Sequence, residues 1–108
     1  MLNNQDHIFT LNGKQKRFLR SLGSTLDPVV QIGKGGIIDT VVESAEQALA
    51  ARELIKVRVL QNSPEEPKEA IAELARASRA HLVQVIGRNG LLYKKNHHPE
   101  YKSKIELP

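Results

Sequence analysis

Apolar positions along this chain recur with two different periods, and the switches between them mark out its elements. From Gly13 to Leu22 the spacing is helical. At about 100° per residue from Lys14, the side chains of Phe18, Leu22, Gln15 and Leu19 fall in an arc of roughly 40° to 140°. Lys14, Lys16, Arg17 and Arg20 fill the other side, an uninterrupted basic face without an acid. Solvated helices usually mix their signs, because opposite charges four residues apart support one another. Gly23 is expected to end this helix, and Asp27-Pro28 forces an extended entry into a short β-branched strand, Val29 to Ile32. That strand runs directly into Gly33-Lys34-Gly35-Gly36.

A second helix is expected near Asp39 to Arg52, with Ile38, Val41, Val42, Ala45, Ala48 and Leu49 at helical spacing. Its start is open among a Thr40/Glu43 capping box, an Asp39 cap and a beginning one turn earlier. Leu54 to Leu60 alternates, Ile55, Val57 and Val59 facing one way and Lys56 and Arg58 the other, which predicts a strand with one polar face. Ser63-Pro64-Glu65-Glu66 has capping-box spacing with proline at the first helical position, so a third helix is expected from there to about Ala80, with Pro67 making its first turn ragged. Its apolar stripe is Ala70, Ile71, Leu74, Ala75 and Ser78, backed by a mixed-charge solvent face. His81 to Ile86 reads as a strand, Gly87-Arg88-Asn89-Gly90 as a hairpin turn on the strength of Asn-Gly, and Leu91 to Lys95 as the returning strand.

The order αβαβαββ predicts a single α/β domain, with three helices and a mixed four-stranded sheet. Crossover helices link parallel strands and the last hairpin adds an antiparallel edge. The folded domain is expected over residues 11–96, with a loosely attached or disordered stretch at 1–10 and a basic tail at 97–108. The 108 residues fit one core. That core must be aliphatic, since Phe9, Phe18, Tyr93 and Tyr101 are the only aromatic residues.

With no cysteine, disulfides, thiolate catalysis and cysteine zinc sites are excluded. A reducing, cytoplasmic setting is expected, with no signal peptide and no membrane span. Charge changes the picture through its distribution. The net +4 divides into five bases and two acids over residues 1–36, six bases and eight acids over 37–87, and five bases and two acids over 88–108. A fold that brings the two basic ends together makes a cationic face suited to a polyanion.

The candidate chemistry centres on Gly33, Lys34, Gly35 and Gly36. This loop joins a strand to a helix N-terminus, where backbone N–H groups and the helix dipole attract an anion, and Lys34 supplies a mobile counter-charge. It fails the nucleotide-binding templates, having no G-x-x-x-x-G-K-[ST] and Ile38 where a dinucleotide fingerprint needs glycine. A tight turn after a buried strand explains the glycines equally well until the basic features on either side are counted. Gln31, Lys56, Arg58, Gln84 and Lys94 are expected to form a polar patch on the strands. With Tyr93 its one aromatic candidate, that patch suits phosphates better than stacked bases. His97-His98 has no carboxylate or cysteine cluster to complete a metal site, and neither His7 nor His81 has a nucleophile beside it. No metal, cofactor or catalytic residue is expected.

The segments L-x-x-K-Q-K-R-F-L-R-x-L, P-V-V-Q-I-G-K-G-G, E-L-I-K-V-R-V, V-Q-V-I-G with L-Y-K, and the closing K-I-E-L-P together resemble the CRM domain (chloroplast RNA splicing and ribosome maturation), in its bacterial single-domain, YhbY-like form. The resemblance runs in collinear order over roughly residues 11 to 108. It implies a fold similar to the C-terminal domain of translation initiation factor three, and RNA binding without catalysis. It further implies association with ribosomal RNA of large-subunit (50S) precursors, hence a part in ribosome biogenesis. The family's G-x-x-G RNA loop falls on Gly33 to Gly36 and its basic first helix on Lys14, Lys16, Arg17 and Arg20. Ile38 departs from the pattern, standing where relatives often carry a small hydroxyl residue, and the stretch Asn96 to Lys104 is longer than usual.

The expected RNA-binding residues are therefore Lys14, Lys16, Arg17, Arg20, Gly33, Lys34, Gly35, Gly36, Lys56 and Arg58, in a monomer that grips structured RNA by its phosphates. Two other classes compete. A protein-binding module would dock an acidic partner on the basic face, and an enzyme acting on a phosphorylated small molecule would need a general base beside Lys34.

Overall fold

The computed structural model describes residues 10–96 and 105–108. The expectations for residues 1–9 and for His97-His98 lie outside them. Seven elements follow in the order α1 (Gly13–Gly23), β1 (Pro28–Ile32), α2 (Asp39–Arg52), β2 (Leu54–Val59), α3 (Pro67–Ala77), β3 (His81–Ile86) and β4 (Asn89–Tyr93). The domain is α/β, its four strands forming one mixed sheet in the spatial order β1-β2-β4-β3.

β1 and β2 are parallel, with Val30 opposite Val57 and Gln31 opposite Arg58. β4 is antiparallel to both β2 and β3. The hairpin thus adds the expected antiparallel edge, with β3 outermost and the returning strand β4 inside. Composition explains that order: β4 carries Leu91, Leu92 and Tyr93, all buried, whereas β3 ends in the exposed Ile86.

One face of the sheet carries α2 and α3, which bury Val30, Ile32, Ile55, Val57, Val59 and Leu92 against Ala45, Leu49, Ile71 and Leu74. The other carries α1, which packs Leu19 on Leu54, Val83, Leu91 and Tyr93. Two glycines set how closely these layers approach. A Cβ on Gly90 would lie 2.6 Å from Ile71 Cδ1 of α3, and one on Gly23 would lie 2.5 Å from Leu91 Cδ1.

Gly23 ends α1 as expected, whereas Gly90 is the glycine that the sequence places in a turn. The hairpin instead turns at Gly87-Arg88, since Ile86 pairs with Asn89. Gly87 has φ +58 while Arg88 is not left-handed, the pattern of a turn with glycine first. Gly23 is the last residue of α1, facing inward. Leu22, expected in the apolar stripe, is 40% exposed, because the buried line of the helix runs through Leu19 and Gly23.

α3 is shorter than expected. It starts at Pro67, with Glu66 extended at φ −64, ψ 150, because a residue before proline is driven out of the helical region. The Ser63 box does not form. Its hydroxyl accepts only a long 3.4 Å bond from the Glu65 N–H. The far end closes in a Schellman turn, with Ala80 N–H bonded to Ala75 O, Arg79 N–H to Arg76 O, and Arg79 left-handed at φ 59.

Glu53 ties the end of the chain to the sheet. It follows α2 at φ 68 and is fully buried. Its carboxylate accepts the N–H of Asn96 at 2.7 Å and of Ile105 at 3.0 Å, while its carbonyl accepts the Lys94 N–H. Ile105 and Leu107 then pack beside α1, where Gln15 Nε2 donates to Pro108 O. Replacing Glu53 with Ala strands two amides, which is expected to cost about 2–4 kcal/mol. Gly90→Ala is expected to cost about 1–3 kcal/mol through overpacking against Ile71. Urea titration checks both, and a loss below about 0.5 kcal/mol at either position contradicts the packing described.

Candidate nucleic-acid interface

β1 is buried at Val30 and Ile32, then gives way to the glycine-rich loop. The Gly36 N–H bonds back to Gly33 O at 3.0 Å, a tight turn with Lys34 and Gly35 exposed at its tip. Gly36 does not share that exposure. It is buried, has φ +71, and a Cβ there would lie 3.4 Å from Pro64 Cγ. The loop thus divides by role: Lys34 and Gly35 are presented to a ligand, and Gly36 supplies the left-handed conformation that presents them. Ile38 precedes α2 and offers no side-chain cap, so no side chain competes for the first-turn N–H groups.

Across the sheet from this loop, residues of neighbouring strands line up in rows. Gln31 pairs with Arg58, Arg58 with Asn89, and Asn89 with Ile86. Directly paired residues share a face, and this is the face that carries α1. α1 covers its Leu54, Leu91 and Tyr93 half, so the row with Arg58 lies on the half at the carboxyl ends of β1 and β2, where the loop begins. Arg58 is exposed and Lys56 half-buried. Lys14 and Arg17 are exposed on α1; Lys16 and Arg20 are half-buried. At about 100° per residue Lys16 and Arg20 flank the Leu19–Gly23 line on the side away from Gln15, which meets the closing residues, while Lys14 and Arg17 lie on the outer side of the helix.

Three residues of the anticipated patch do other work. Tyr93 is buried with its ring 6.2 Å from that of His81. Burial and the nearby Glu53 carboxylate push its phenol up to about 12. The Lys94 ammonium donates to Ser78 O at 3.2 Å, and Gln84 sits half-buried at the irregularity between Leu82 and Gln84 where β3 shifts register. Arg88, not anticipated, donates from Nε to Val59 O at 2.8 Å and from Nη2 to Leu60 O at 2.7 Å, clamping the hairpin to the end of β2. Asn89 and Ile86 were also missed, because only the strand register places them beside Arg58.

Acids also stand near the loop. Asp39 opens α2 three residues after Gly36, and Glu65 stands beside Gly36, its carboxyl raised above the usual range by a hydrogen bond with Glu73, then by desolvation and by the charges of Glu73 and Glu69. Among the described residues no group of three or more His, Cys, Asp or Glu is placed to hold a metal ion, and no helix is long and apolar enough to cross a membrane.

This arrangement coincides with a known domain. The family model for the CRS1 / YhbY (CRM) domain matches residues 11–94. The chain belongs to the CRM domain family. It is 48% identical over 98 residues to "Probable RNA-binding protein YqeI" of Bacillus subtilis (strain 168), spanning 91% of this chain and 99% of the relative. It is 39% identical over 99 residues to an "RNA-binding protein" of Haemophilus influenzae, spanning 92% and 96%. The solution structure of the hypothetical protein SAV1595 from Staphylococcus aureus superposes with a TM-score of 0.74 at 46% identity, covering 92% of this chain and 100% of that one. The match to the CRM model spans every element from α1 to β4.

The division of the CRM loop is testable by calorimetry on two variants. Gly36→Ala forces a side chain into a left-handed position and is expected to cost about 1–2 kcal/mol. Gly35→Ala meets only ordinary contacts with Ile38, at 3.5 and 3.6 Å, and is expected to change stability by less than about 0.5 kcal/mol. Equal losses at the two positions contradict the assignment.

Proposed function

We propose that this protein is a non-catalytic RNA-binding factor that grips structured RNA through its phosphate backbone. Ribosomal RNA of assembling large (50S) subunits is its target, and it acts as a cytoplasmic monomer in ribosome biogenesis. The observation that carries the reading is the placement of the exposed Lys34-Gly35 tip at the same end of the sheet as Arg58, on a face bordered by a helix that has four bases and no acid. Lys14, Lys16, Arg17, Arg20, Lys34, Lys56 and Arg58 supply the charge, and Gly33, Gly35 and Gly36 let the backbone approach a phosphate. The names of the relatives support RNA as the ligand. The ribosomal target follows from the CRM resemblance in the sequence.

Phosphate contact suits these groups. Ammonium and guanidinium donors satisfy a phosphate oxygen at any sequence, so affinity resides in charge and geometry. The non-catalytic reading follows from the CRM resemblance in the sequence and is supported by relatives named for RNA binding.

The triple variant Lys34→Gln, Arg17→Gln, Arg20→Gln tests the reading in fluorescence anisotropy with RNA hairpins of several sequences. Affinity is expected to fall by a similar factor for each hairpin. The slope of log K against log salt is expected to flatten by about 2–3, near 0.9 per contact removed. Wild-type affinity insensitive to salt overturns the mechanism. Tight binding of an acidic peptide with no RNA retardation replaces it with a protein-docking role.

A further inference from the structure

The row Gln31, Arg58, Asn89, Ile86 has a composition that phosphate alone does not explain. It runs across all four strands in register, spanning about 14 Å at the usual strand spacing. Its first member lies two residues before Gly33, about 7 Å along an extended chain. Gln31 and Arg58 are exposed. Ile86 is 64% exposed, the most exposed large apolar side chain among the described residues. Asn89 Oδ1 is enclosed with no hydrogen-bond partner.

A phosphate offers acceptors and negative charge. It has nothing for an exposed isoleucine, and no proton for an orphaned amide oxygen. A nucleobase offers both. Its face is an apolar surface for Ile86, its amino group or ring N–H is a donor for Asn89 Oδ1, and its ring nitrogens and carbonyls accept from Arg58 and from the Gln31 and Asn89 amides. Because Oδ1 has no donor in the free protein, rotating the Asn89 amide to meet a base breaks no hydrogen bond at that atom, and the terminal torsion of asparagine is soft.

We infer that this row is a base-recognition subsite. It takes one unpaired nucleobase, whose face covers Ile86 and whose edge N–H meets Asn89, next to the helical RNA whose phosphates the loop holds. The inference rests on the RNA-binding reading and adds to it. The phosphate grip by itself favours no sequence, and the subsite selects RNA in which a single base is free beside a stem. Every nucleobase carries such an N–H donor, uracil at its ring N3, so the subsite selects an unpaired base and not one base type.

Binding is measured for the full chain with four labelled hairpins that share one stem: fully paired, or carrying a single bulged adenine, cytosine or uracil. The three bulged hairpins are expected to bind roughly tenfold tighter than the paired one, the worth of one good base contact. Ile86→Ser and Asn89→Ala are expected to erase that preference while leaving affinity for the paired hairpin within about twofold. Both sites are at the surface end of a hairpin, and thermal unfolding of each variant confirms that it folds. Equal binding of all four hairpins, or a preference that survives both substitutions, overturns the subsite while the salt-dependent grip stands. Loss of binding to every hairpin by the wild-type protein overturns the RNA reading beneath it.

Discussion

The close approach of a helix to each face of β4 organises the molecule. α3 comes down on Gly90 and α1 on Leu91, and in both contacts a glycine removes the Cβ that would hold the layers apart, Gly90 on the strand and Gly23 on the helix. With β4 sandwiched this way, its three large residues are buried, Leu92 towards α2 and α3, Leu91 and Tyr93 towards α1. The centre of the sheet is then the only place for it. β3 is displaced to the edge, and α1 is fixed over one half of its face.

That placement produces the candidate site. Had α1 covered the whole sheet, Arg58 would be a buried cation, which costs several kcal/mol without a partner. Confined to the half with Leu54, Leu91 and Tyr93, the helix leaves Arg58 exposed beside the loop at the carboxyl ends of the parallel strands, the end at which open α/β sheets bind ligands. The closing residues reinforce the arrangement. Glu53 holds Asn96 and Ile105 from beneath, and Ile105 and Leu107 wedge the helix from its far flank. The basic helix is thus braced by packing, and its cations are carried on a rigid element.

Periodicity and local punctuation made much of this legible. The limits of α2, the alternation that sends Lys56 and Arg58 away from the core, and the exposed Lys34 tip are all local consequences of spacing and glycine content. What the sequence concealed was non-local. Asn89-Gly90 carries a strong turn signal, yet Gly90 is glycine because Ile71, nineteen positions earlier in the chain, occupies the space. Gly23 reads as a helix stop and is one, but the room that it leaves for Leu91 shows only in the packing. Glu53 looks like an ordinary surface acid until two amides, 43 and 52 residues further on, converge on its carboxylate. The Ser63 signal failed because Pro67 imposes an extended Glu66, so one local rule overrode another. Asn89 and Ile86 could not be found at all without the strand register that sets them beside Arg58.

The proposed placement puts RNA on the open half of the α1 face, against the loop, and off the outer face of α3. Amide chemical-shift mapping during titration with a short RNA hairpin tests it most directly. The predicted result is a continuous patch of shifted resonances at residues 31–36, 56–58 and 86–90 and on the exposed side of α1, with α3 silent. Shifts concentrated on the outer face of α3, around Glu65, Glu69 and Glu73, would contradict the account.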